Sequence, residues 1–147
     1  MPLPSQQKAI VIKSHGNAQL ISDAPIPKLR DDFILVKTVA VAINPTDWQH
    51  VDGEGQLGVT VGCDYAGTVM EVGSNVGKII KPGARVCGFI HGSNGDNHED
   101  GAFAEYVTAK GDLQIPIPNG VSFEEAATLG VGMYDVSPPP CCDEYWS

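Results

Sequence analysis

Three side chains in the first half of the chain are candidates for proton transfer because of their residue types and surroundings: Asp47, His50 and Asp64. Asp47 and His50 are three residues apart in the stretch PTDWQH, a spacing that brings both side chains to the same face of a helical turn. Asp64 lies in an apolar stretch, where burial would raise the pKa of its carboxyl and let it serve as a general base. These residues are the candidate catalytic groups. The open alternatives are a surface hydrogen bond for Asp47 and His50, and support of the fold for Asp64.

A second motif, GEGQLG at residues 53–58, matches the dinucleotide-binding pattern G-x-G-x-x-G. That pattern works only between a buried strand and a helix, because the pyrophosphate rests on the helix N-terminus. Here the polar stretch DWQHVD precedes the match, and residues rich in Val, Gly and Thr follow it. We therefore interpret the match as a chance feature of a glycine-rich loop.

Cysteine and histidine residues give no pattern of metal ligands. Cys63, Cys87, Cys141 and Cys142 lack C-x-x-C spacing, so we expect free thiols, with Cys63 and Cys87 as small buried apolar residues. The stretch HGSNGDNHED at residues 91–100 has two histidines and three acids, but no strand or helix would fix their geometry. We interpret this stretch as a solvated loop and predict no metal site.

The composition excludes several classes of function. The 147 residues include 9 basic and 18 acidic side chains, for a net charge of -9, which repels nucleic acid and anionic membrane surfaces. The N-terminal stretch MPLPSQQKAIVIK has no long apolar segment behind a basic start, and no run of 18 apolar residues occurs in the chain. We therefore expect a cytoplasmic protein whose partners include neither nucleic acid nor a membrane.

Strand-like segments dominate the pattern along the chain. Residues 8–13, 33–43, 59–72, 84–90 and 102–108 are β-branched or alternating, with Gly, Pro, Asn or Asp between them. This pattern predicts a mainly β fold, either a sandwich or a barrel. Glycines within the third segment predict tight bends of the sheet at Gly62, Gly67 and Gly73.

Helix signals are few. Ser122 and Glu125 have the spacing of a capping box, which predicts a short helix that Gly130 would end in the left-handed region. Pro45 suits the first position of a second, shorter helical turn at PTDWQH. The sequence therefore predicts one or two short helices beside the strands.

Four motifs in a fixed order carry a resemblance to a known family. They are AINPTDWQH at residues 42–50, GCDYAGTVMEVGSNVGKIIKPGARV at 62–86, GAFAEYV at 101–107 and SFEEAATLGVG at 122–132. Together they resemble the N-terminal half of the medium-chain dehydrogenase/reductase superfamily, and within it the zinc-independent trans-acting enoyl reductases of fungal polyketide biosynthesis. The resemblance implies a GroES-like, partly open β-barrel over residues 8–132.

The resemblance also implies site residues. In the enoyl reductases the segment after Asn-Pro contacts NADPH. By resemblance, the cofactor-binding residues of this chain are expected to be Thr46, Asp47, Trp48 and Gln49. The Ala-Thr-Leu-Gly segment lines the acyl cleft, which nominates as substrate-binding residues Thr128, Leu129, Gly130 and Val131. Gln49 stands where the family often has Lys, so this position offers neutral hydrogen bonds in place of a cation.

The resemblance does not imply catalytic zinc. In the zinc alcohol dehydrogenases the glycine motif begins Gly-His-Glu and its histidine binds the metal, whereas this chain has Cys63 and Asp64 after Gly62. The reaction of the resembling enoyl reductases is the NADPH-dependent reduction of an α,β-unsaturated polyketide thioester. In such a reaction the protein mainly orients the cofactor and the acyl chain.

Length separates this chain from the family pattern. Family members continue into a Rossmann domain and then return to complete the barrel. Here residues 133–147, MYDVSPPPCCDEYWS, contain three consecutive prolines and no periodicity, which predicts an irregular tail. We therefore expect no Rossmann domain, no tight binding of NADPH by this chain alone, and a homodimer that covers the exposed strand edges.

Three functions remain open at this stage. The first is that of a truncated trans-acting enoyl reductase-like protein, with a small polyketide-type substrate and a polyketide synthase as a candidate partner. The second is a cofactor-independent cyclase, isomerase or dehydratase that uses the cleft of the barrel. The third is a non-catalytic binding module.

Overall fold

Two antiparallel β-sheets form most of the computed structural model, which describes residues 3–136. The smaller sheet pairs β1 (Gln6–Ser14) with β2 (Asn17–Pro25). The strands of the larger sheet are β3 (Phe33–Ala42), β4 (Asp64–Val72), β5 (Arg85–Phe89), β6 (Tyr106–Lys110) and β7 (Ile115–Pro116), in the spatial order β6-β3-β4-β5-β7. Every strand pair in residues 3–136 is antiparallel, so this part of the chain contains no parallel Rossmann sheet.

Short helices complete the regular structure of the described residues. They are α1 (Pro45–Gln49), α2 (Phe123–Ala127) and α3 (Gly130–Val136), with a π-helical turn over His50–Glu54 and a 3-10 turn over Gly111–Leu113. Between residues 3 and 136, no helix has the length and apolar character needed to cross a membrane. The predicted mainly β fold with few short helices is confirmed, although the described residues form three α-helices and not one or two.

The hairpin of β1 and β2 is joined to the larger sheet through irregular segments. The N–H of Ile10 donates to the C=O of Phe103 at 2.8 Å, and the N–H of Val61 donates to the C=O of Ile10 at 3.0 Å. On the other side, the N–H of Thr38 in β3 donates to the C=O of Glu105 at 2.9 Å. The segment from Phe103 to Glu105 therefore lies between β1 and β3, and the two sheets enclose a partly open barrel.

Apolar side chains from several strands fill the barrel interior. Ile34 and Val36 of β3 face this core together with Tyr65 of β4 and Val107 of β6, and all four are 0% exposed. Burial of each such side chain contributes about 1.5–3 kcal/mol of transfer free energy. The hydroxyl of Tyr65 donates to Oε1 of the equally buried Gln114, which satisfies the polar end of the ring.

The predicted strand over residues 59–72 is divided by a bend. Its first residues pair with the hairpin, since the N–H of Ile12 donates to the C=O of Val59 at 3.1 Å, and β4 begins only at Asp64. The bend lies at Gly62, one of the predicted positions, where φ is 102°. A Cβ atom here would lie 2.3 Å from the ring of Phe103, so the site excludes any larger residue.

The G-x-G-x-x-G match and the capping box have the structures that the sequence predicts. The match at residues 53–58 begins inside the π-helical turn that follows α1 and not after a strand, so the context for pyrophosphate binding is absent there. At the start of α2, the N–H of Glu125 donates to Oγ of Ser122 at 3.1 Å, and the N–H of Ser122 donates to Oε2 of Glu125 at 2.9 Å. The N–H and the hydroxyl of Ser122 both donate to Oε2 of Glu125, and these two bonds lower the pKa of the Glu125 carboxyl.

Sequence analysis does not predict β2, β7 or α3. Most residues of β2 are exposed, so this strand lacks the apolar alternation that marks a half-buried strand, and β7 has only two residues. Gly130 was expected to end a helix, but α2 ends at Ala127 and Gly130 begins α3. Because α3 ends at Val136, it enters the predicted irregular segment; residues 137–147, which include Cys141 and Cys142, lie outside the described residues.

We expect Gly62→Ala to lower the free energy of unfolding by more than Gly83→Ala does. Both glycines have a positive φ, 102° and 88°, and that conformation costs an L-residue about 1–2 kcal/mol. Only at Gly62 does an added Cβ meet a neighbour, because nothing lies within 4 Å of one at Gly83. The overpacking adds about 1–3 kcal/mol. Urea unfolding followed by circular dichroism measures both losses, and equal losses would contradict the steric requirement at the bend.

Candidate functional site

The carboxylate of Asp64 connects two segments that are far apart in sequence. Asp64 begins β4 and is only 1% exposed. Its Oδ2 accepts a hydrogen bond from Nδ2 of Asn44 at 3.0 Å, and its Oδ1 accepts one from the backbone N–H of Val131 at 2.8 Å. Asn44 is the N-cap of α1, and Val131 lies in the first turn of α3. Asp64 therefore holds both helices at the same end of the sheet.

Gly130 allows α3 to approach this carboxylate. A Cβ atom on Gly130 would lie 2.4 Å from Oδ1 of Asp64 and 2.6 Å from the C=O of Gly88 in β5. Real Cβ atoms do not approach backbone and carboxylate oxygens so closely, so any side chain here would push α3 away from the sheet. The glycine is thus required by space beside Asp64, and not by the helix end that the sequence pattern predicts.

Asp47 is the second buried carboxylate of the site. Its Oδ2 accepts a hydrogen bond from the backbone N–H of Asn44 at 2.7 Å, and the residue is only 3% exposed. Within the described part of the chain its Oδ1 makes no hydrogen bond of ordinary geometry, although the thiol of Cys63 lies beside it. Burial raises the pKa of Asp47, against the smaller lowering effects of the Asn44 N–H, the Cys63 thiol and His50.

The thiols near these carboxylates are neutral. Burial raises the pKa of Cys63 to about 12, and the negative charge of Asp47 adds to the effect, while the N–H of Gly92 opposes it. Burial, followed by the charge of Asp64, also raises the pKa of Cys87. Both cysteines are free and buried, as expected for small apolar residues, and neither has the thiolate character of a nucleophile.

The structure places the predicted cofactor-binding residues together on α1. Thr46 is half-buried and Asp47 buried, whereas Trp48 is 56% exposed and Gln49 is also exposed. His50 follows at the start of the π-helical turn and is half-buried. Asp47 is turned toward Asn44 and Cys63, so the predicted pair with His50 has only an electrostatic effect on the pKa of Asp47.

The predicted substrate-binding residues lie between α2 and α3 and in the first turn of α3. Thr128 and Leu129 are exposed, Gly130 is buried and Val131 is half-buried. Through Asp64, this segment and the segment on α1 meet at one end of the sheet. The exposed members of both segments, Trp48, Gln49, Thr128 and Leu129, are therefore available to a ligand.

An apolar groove begins close to this end of the sheet. It has a volume of about 380 Å³, and its lining residues include Ile10, Leu20, Val41, Ile43 and Phe103. Ile43 is 82% exposed and immediately precedes Asn44 in the chain. The groove lies between the hairpin and the end of β3, where the barrel is open.

The loop at residues 91–100 is anchored, in contrast to the solvated loop that the sequence predicts. Asp100 is 6% exposed and accepts two hydrogen bonds from the guanidinium of Arg30, at 3.0 and 2.8 Å. The same guanidinium lies 3.7 Å above the ring centroid of Phe33 and donates to Oγ1 of Thr108. No group of three or more His, Cys, Asp or Glu residues that could hold a metal ion occurs in residues 3–136.

Sequence reasoning missed Asn44 and the pair of Arg30 with Asp100. The only signal for Asn44 was its position before Pro45, since Asn is a favoured N-cap residue and Pro a favoured first residue of a helix. Its bond to Asp64 spans 20 positions, and the bond of Arg30 to Asp100 spans 70. No local pattern encodes contacts at these separations.

Comparison with known proteins gives relatives for most of the chain. Residues 30–119 match the alcohol dehydrogenase GroES-like domain. The chain is 58% identical over 130 residues to the trans-enoyl reductase TOXD of Cochliobolus carbonum. The aligned region covers 88% of this chain and 44% of TOXD. The chain is also 55% identical over 126 residues to the trans-enoyl reductase resD of Aspergillus sclerotiorum. This alignment covers 86% of the chain and 35% of resD.

Solved structures share the fold. The quinone oxidoreductase from Coxiella burnetii superposes with a TM-score of 0.73 at 31% identity, over 85% of this chain and 41% of that one. A putative zinc-binding dehydrogenase from Sinorhizobium meliloti 1021 bound to NADP gives a TM-score of 0.70 at 31% identity, over 84% of this chain and 42% of that one. The chain thus spans less than half the length of each of these four relatives.

We expect Asp47→Asn to change the pH dependence of stability. An acid whose pKa is raised by folding binds its proton more tightly in the folded state, so stability falls as pH rises from the ordinary value of 3.8 through the raised folded value. The variant lacks this loss. Its free energy of unfolding should therefore increase relative to the unsubstituted chain across that pH range and then level off.

Urea unfolding at a series of pH values measures this difference. Asp52→Asn removes an exposed acid from the neighbouring turn and controls for the change in net charge. A difference between Asp47→Asn and the unsubstituted chain that stays constant with pH would contradict the burial of a charged Asp47 carboxylate.

Proposed function

The chain belongs to the alcohol dehydrogenase GroES-like domain family of the medium-chain dehydrogenases/reductases, and on that premise we propose that it forms the GroES-like part of an NADPH-dependent trans-acting enoyl reductase. The substrate of the proposed reaction is an α,β-unsaturated thioester of polyketide biosynthesis. The relatives TOXD and resD, both named trans-enoyl reductases, support this proposal.

The observation that carries the proposal is the convergence of two segments on Asp64. Asn44 is the N-cap of the helix that carries the segment nominated for the cofactor, and Val131 ends the segment nominated for the acyl group; both donate to the one carboxylate. Orientation of two reactants is the main contribution that a protein makes to hydride transfer from a nicotinamide. An arrangement that fixes both binding segments to a single buried group suits this purpose.

NADPH would supply the hydride for the reduction of the double bond. On this chain, the exposed ring of Trp48 and the exposed amide of Gln49 fit the nicotinamide end, as a stacking surface and as neutral hydrogen-bonding groups. The phosphates find no counterpart in residues 3–136, because the only glycine match there follows a helical turn and not a strand. The described residues therefore fit one part of the cofactor.

The titratable groups of the site differ in how many hydrogen bonds they accept and in how readily they exchange a proton. Both oxygens of Asp64 accept hydrogen bonds, and the thiol of Cys63 has a pKa of about 12. Oδ1 of Asp47 makes no hydrogen bond of ordinary geometry to the described residues, although the thiol and N–H of Cys63 lie close to the carboxyl, and burial raises the pKa of this group. Of these three groups, Asp47 is the one that we propose to take up and release a proton, because it has an oxygen without a hydrogen bond of ordinary geometry and a raised carboxyl pKa.

The apolar groove favours a substrate with an acyl chain, and we propose that a polyketide synthase supplies this substrate. A thioester substrate carries an apolar chain away from the reacting double bond, and the groove lined by Ile43, the residue before the N-cap of α1, offers an apolar surface. The same exposed surface is a place where a second copy of the chain could dock, and a homodimer remains part of the proposal. Occupation of both oxygens of Asp64 speaks against a cofactor-independent cyclase, isomerase or dehydratase that would use this residue as its base.

A chimaeric enzyme tests the proposed function. Residues 8–132 replace the matched segment of TOXD, so that the remaining part of that protein follows them, and the oxidation of NADPH is measured with a short α,β-unsaturated acyl thioester. We expect turnover within about tenfold of the parent TOXD, since a pocket built from related segments loses about 1.4 kcal/mol or less of transition-state stabilisation. A chimaera that folds but does not oxidise NADPH with this substrate would argue for a binding module.

We expect the 147-residue chain alone to bind NADPH weakly, with a dissociation constant above about 10 μM, which corresponds to roughly -7 kcal/mol. The physical reason is that residues 3–136 offer the nicotinamide a surface but give the pyrophosphate no glycine turn at a helix N-terminus. Isothermal titration measures this constant, with the chimaera as the positive control. A value below 10 μM for the chain alone would show that another part of it recognises the phosphates.

A further inference from the structure

We propose that Asp64 is a positioning residue that couples α1 to α3, so that the cofactor segment and the substrate segment keep one relative placement. The roles of the two segments rest on the proposed function. The coupling itself follows from the contacts of the carboxylate and can be tested without any reaction.

Each oxygen of the carboxylate serves a different segment. The Nδ2 of Asn44 lies 3.0 Å from Oδ2, and the N–H of Val131 lies 2.8 Å from Oδ1. Both bonds are charge-assisted, and Asp64 is only 1% exposed, so water does not replace either donor readily. Because a carboxylate is planar, a movement of one donor that turns the group also moves the acceptor of the other.

The surroundings leave the carboxylate little freedom of its own. The backbone of Asp64 pairs with Ala42 on one side and with Phe89 on the other. A Cβ atom on Gly130 would lie 2.4 Å from Oδ1, so the first turn of α3 is already in close contact with the carboxylate. Two residues after Ala42, β3 leads into Asn44, which brings the first donor from the neighbouring strand.

The alternative is that each hydrogen bond has only a local effect. Asn44 is held by a second carboxylate, because its N–H donates to Oδ2 of Asp47 at 2.7 Å, and this bond does not involve Asp64. Under the local alternative, loss of the Asn44 side chain would loosen α1 and leave α3 unchanged. Coupling requires that α3 respond as well.

Amide hydrogen exchange of the 147-residue chain, measured by NMR, distinguishes coupling of α1 and α3 from purely local hydrogen bonds. Asn44→Ala removes the side-chain donor without touching α3. We expect the amide of Val131 to exchange about fivefold faster than in Gly83→Ala, which lowers stability at a distant turn and serves as the control. Exchange at Val131 equal to that in Gly83→Ala would overturn the proposal.

Swapping the side chains at positions 44 and 64 should restore the hydrogen bond between them. Asn44→Asp alone places two buried carboxylates against each other, which disrupts the link. Adding Asp64→Asn restores a hydrogen bond between an amide and a carboxylate with the roles reversed, and the amide oxygen still accepts from Val131. We expect exchange at Val131 in the double variant to lie within about twofold of the unsubstituted chain.

The double variant also decides the matter if Asn44→Ala does not fold. A double variant that remains unfolded, or that folds without protection of the Val131 amide, would overturn the coupling.

Kinetics of the TOXD chimaera separate this inference from the proposed function. Asn44→Ala should lower kcat about tenfold to a hundredfold, as a misplacement of about 1 Å does, and the exchanged pair should restore it. An unsubstituted chimaera without activity would contradict the proposed function and leave the exchange result intact. An unchanged kcat in Asn44→Ala, alongside lost protection at Val131, would overturn the positioning role.

Discussion

One buried negative charge holds α1 and α3 to the barrel. Burial of an isolated carboxylate is unfavourable by several kcal/mol, and Asp64 is stabilised by donors from Asn44 and Val131. Neither donor would lie at this end of the sheet without the other elements, since β3 delivers Asn44, and glycine at position 130 admits the first turn of α3. The barrel, α1 and α3 are thus mutually dependent at a single group.

The parts of the fold that follow from local pattern could be predicted from sequence. Strand β3 is apolar and β-branched, and the capping box of Ser122 and Glu125 is a contact over three positions, so both are visible in the sequence. β2 could not be predicted, because most of its residues face solvent and its pairing with β1 supplies the reason for its extended form. The same limit applies to the loop at residues 91–100, whose anchor at Asp100 depends on Arg30, 70 positions away.

The candidate site shows a similar division. The resemblance nominated residues of α1 and the segment from Thr128 to Val131, which includes the start of α3. The nomination of Asp64 came from its residue type in an apolar stretch. What could not be predicted is that the Asp64 carboxylate joins the two segments, because the partner of Asn44 is 20 positions away. The environment of Asp47 could not be predicted either, since only the packing around α1 shows that Oδ2 accepts from Asn44 and that Cys63 lies beside the carboxyl.

The protonation and burial of the two described cysteines determine how the folded domain responds to oxidants. Oxidation by peroxide begins with a thiolate, and the elevated pKa values of Cys63 and Cys87 keep both sulfurs protonated. Their burial also blocks approach of glutathione or of another protein thiol. The barrel therefore carries two sulfur atoms in its packed interior that are resistant to sulfenic acid formation and to mixed disulfides, and oxidative stress would leave these two positions unmodified while the fold is intact.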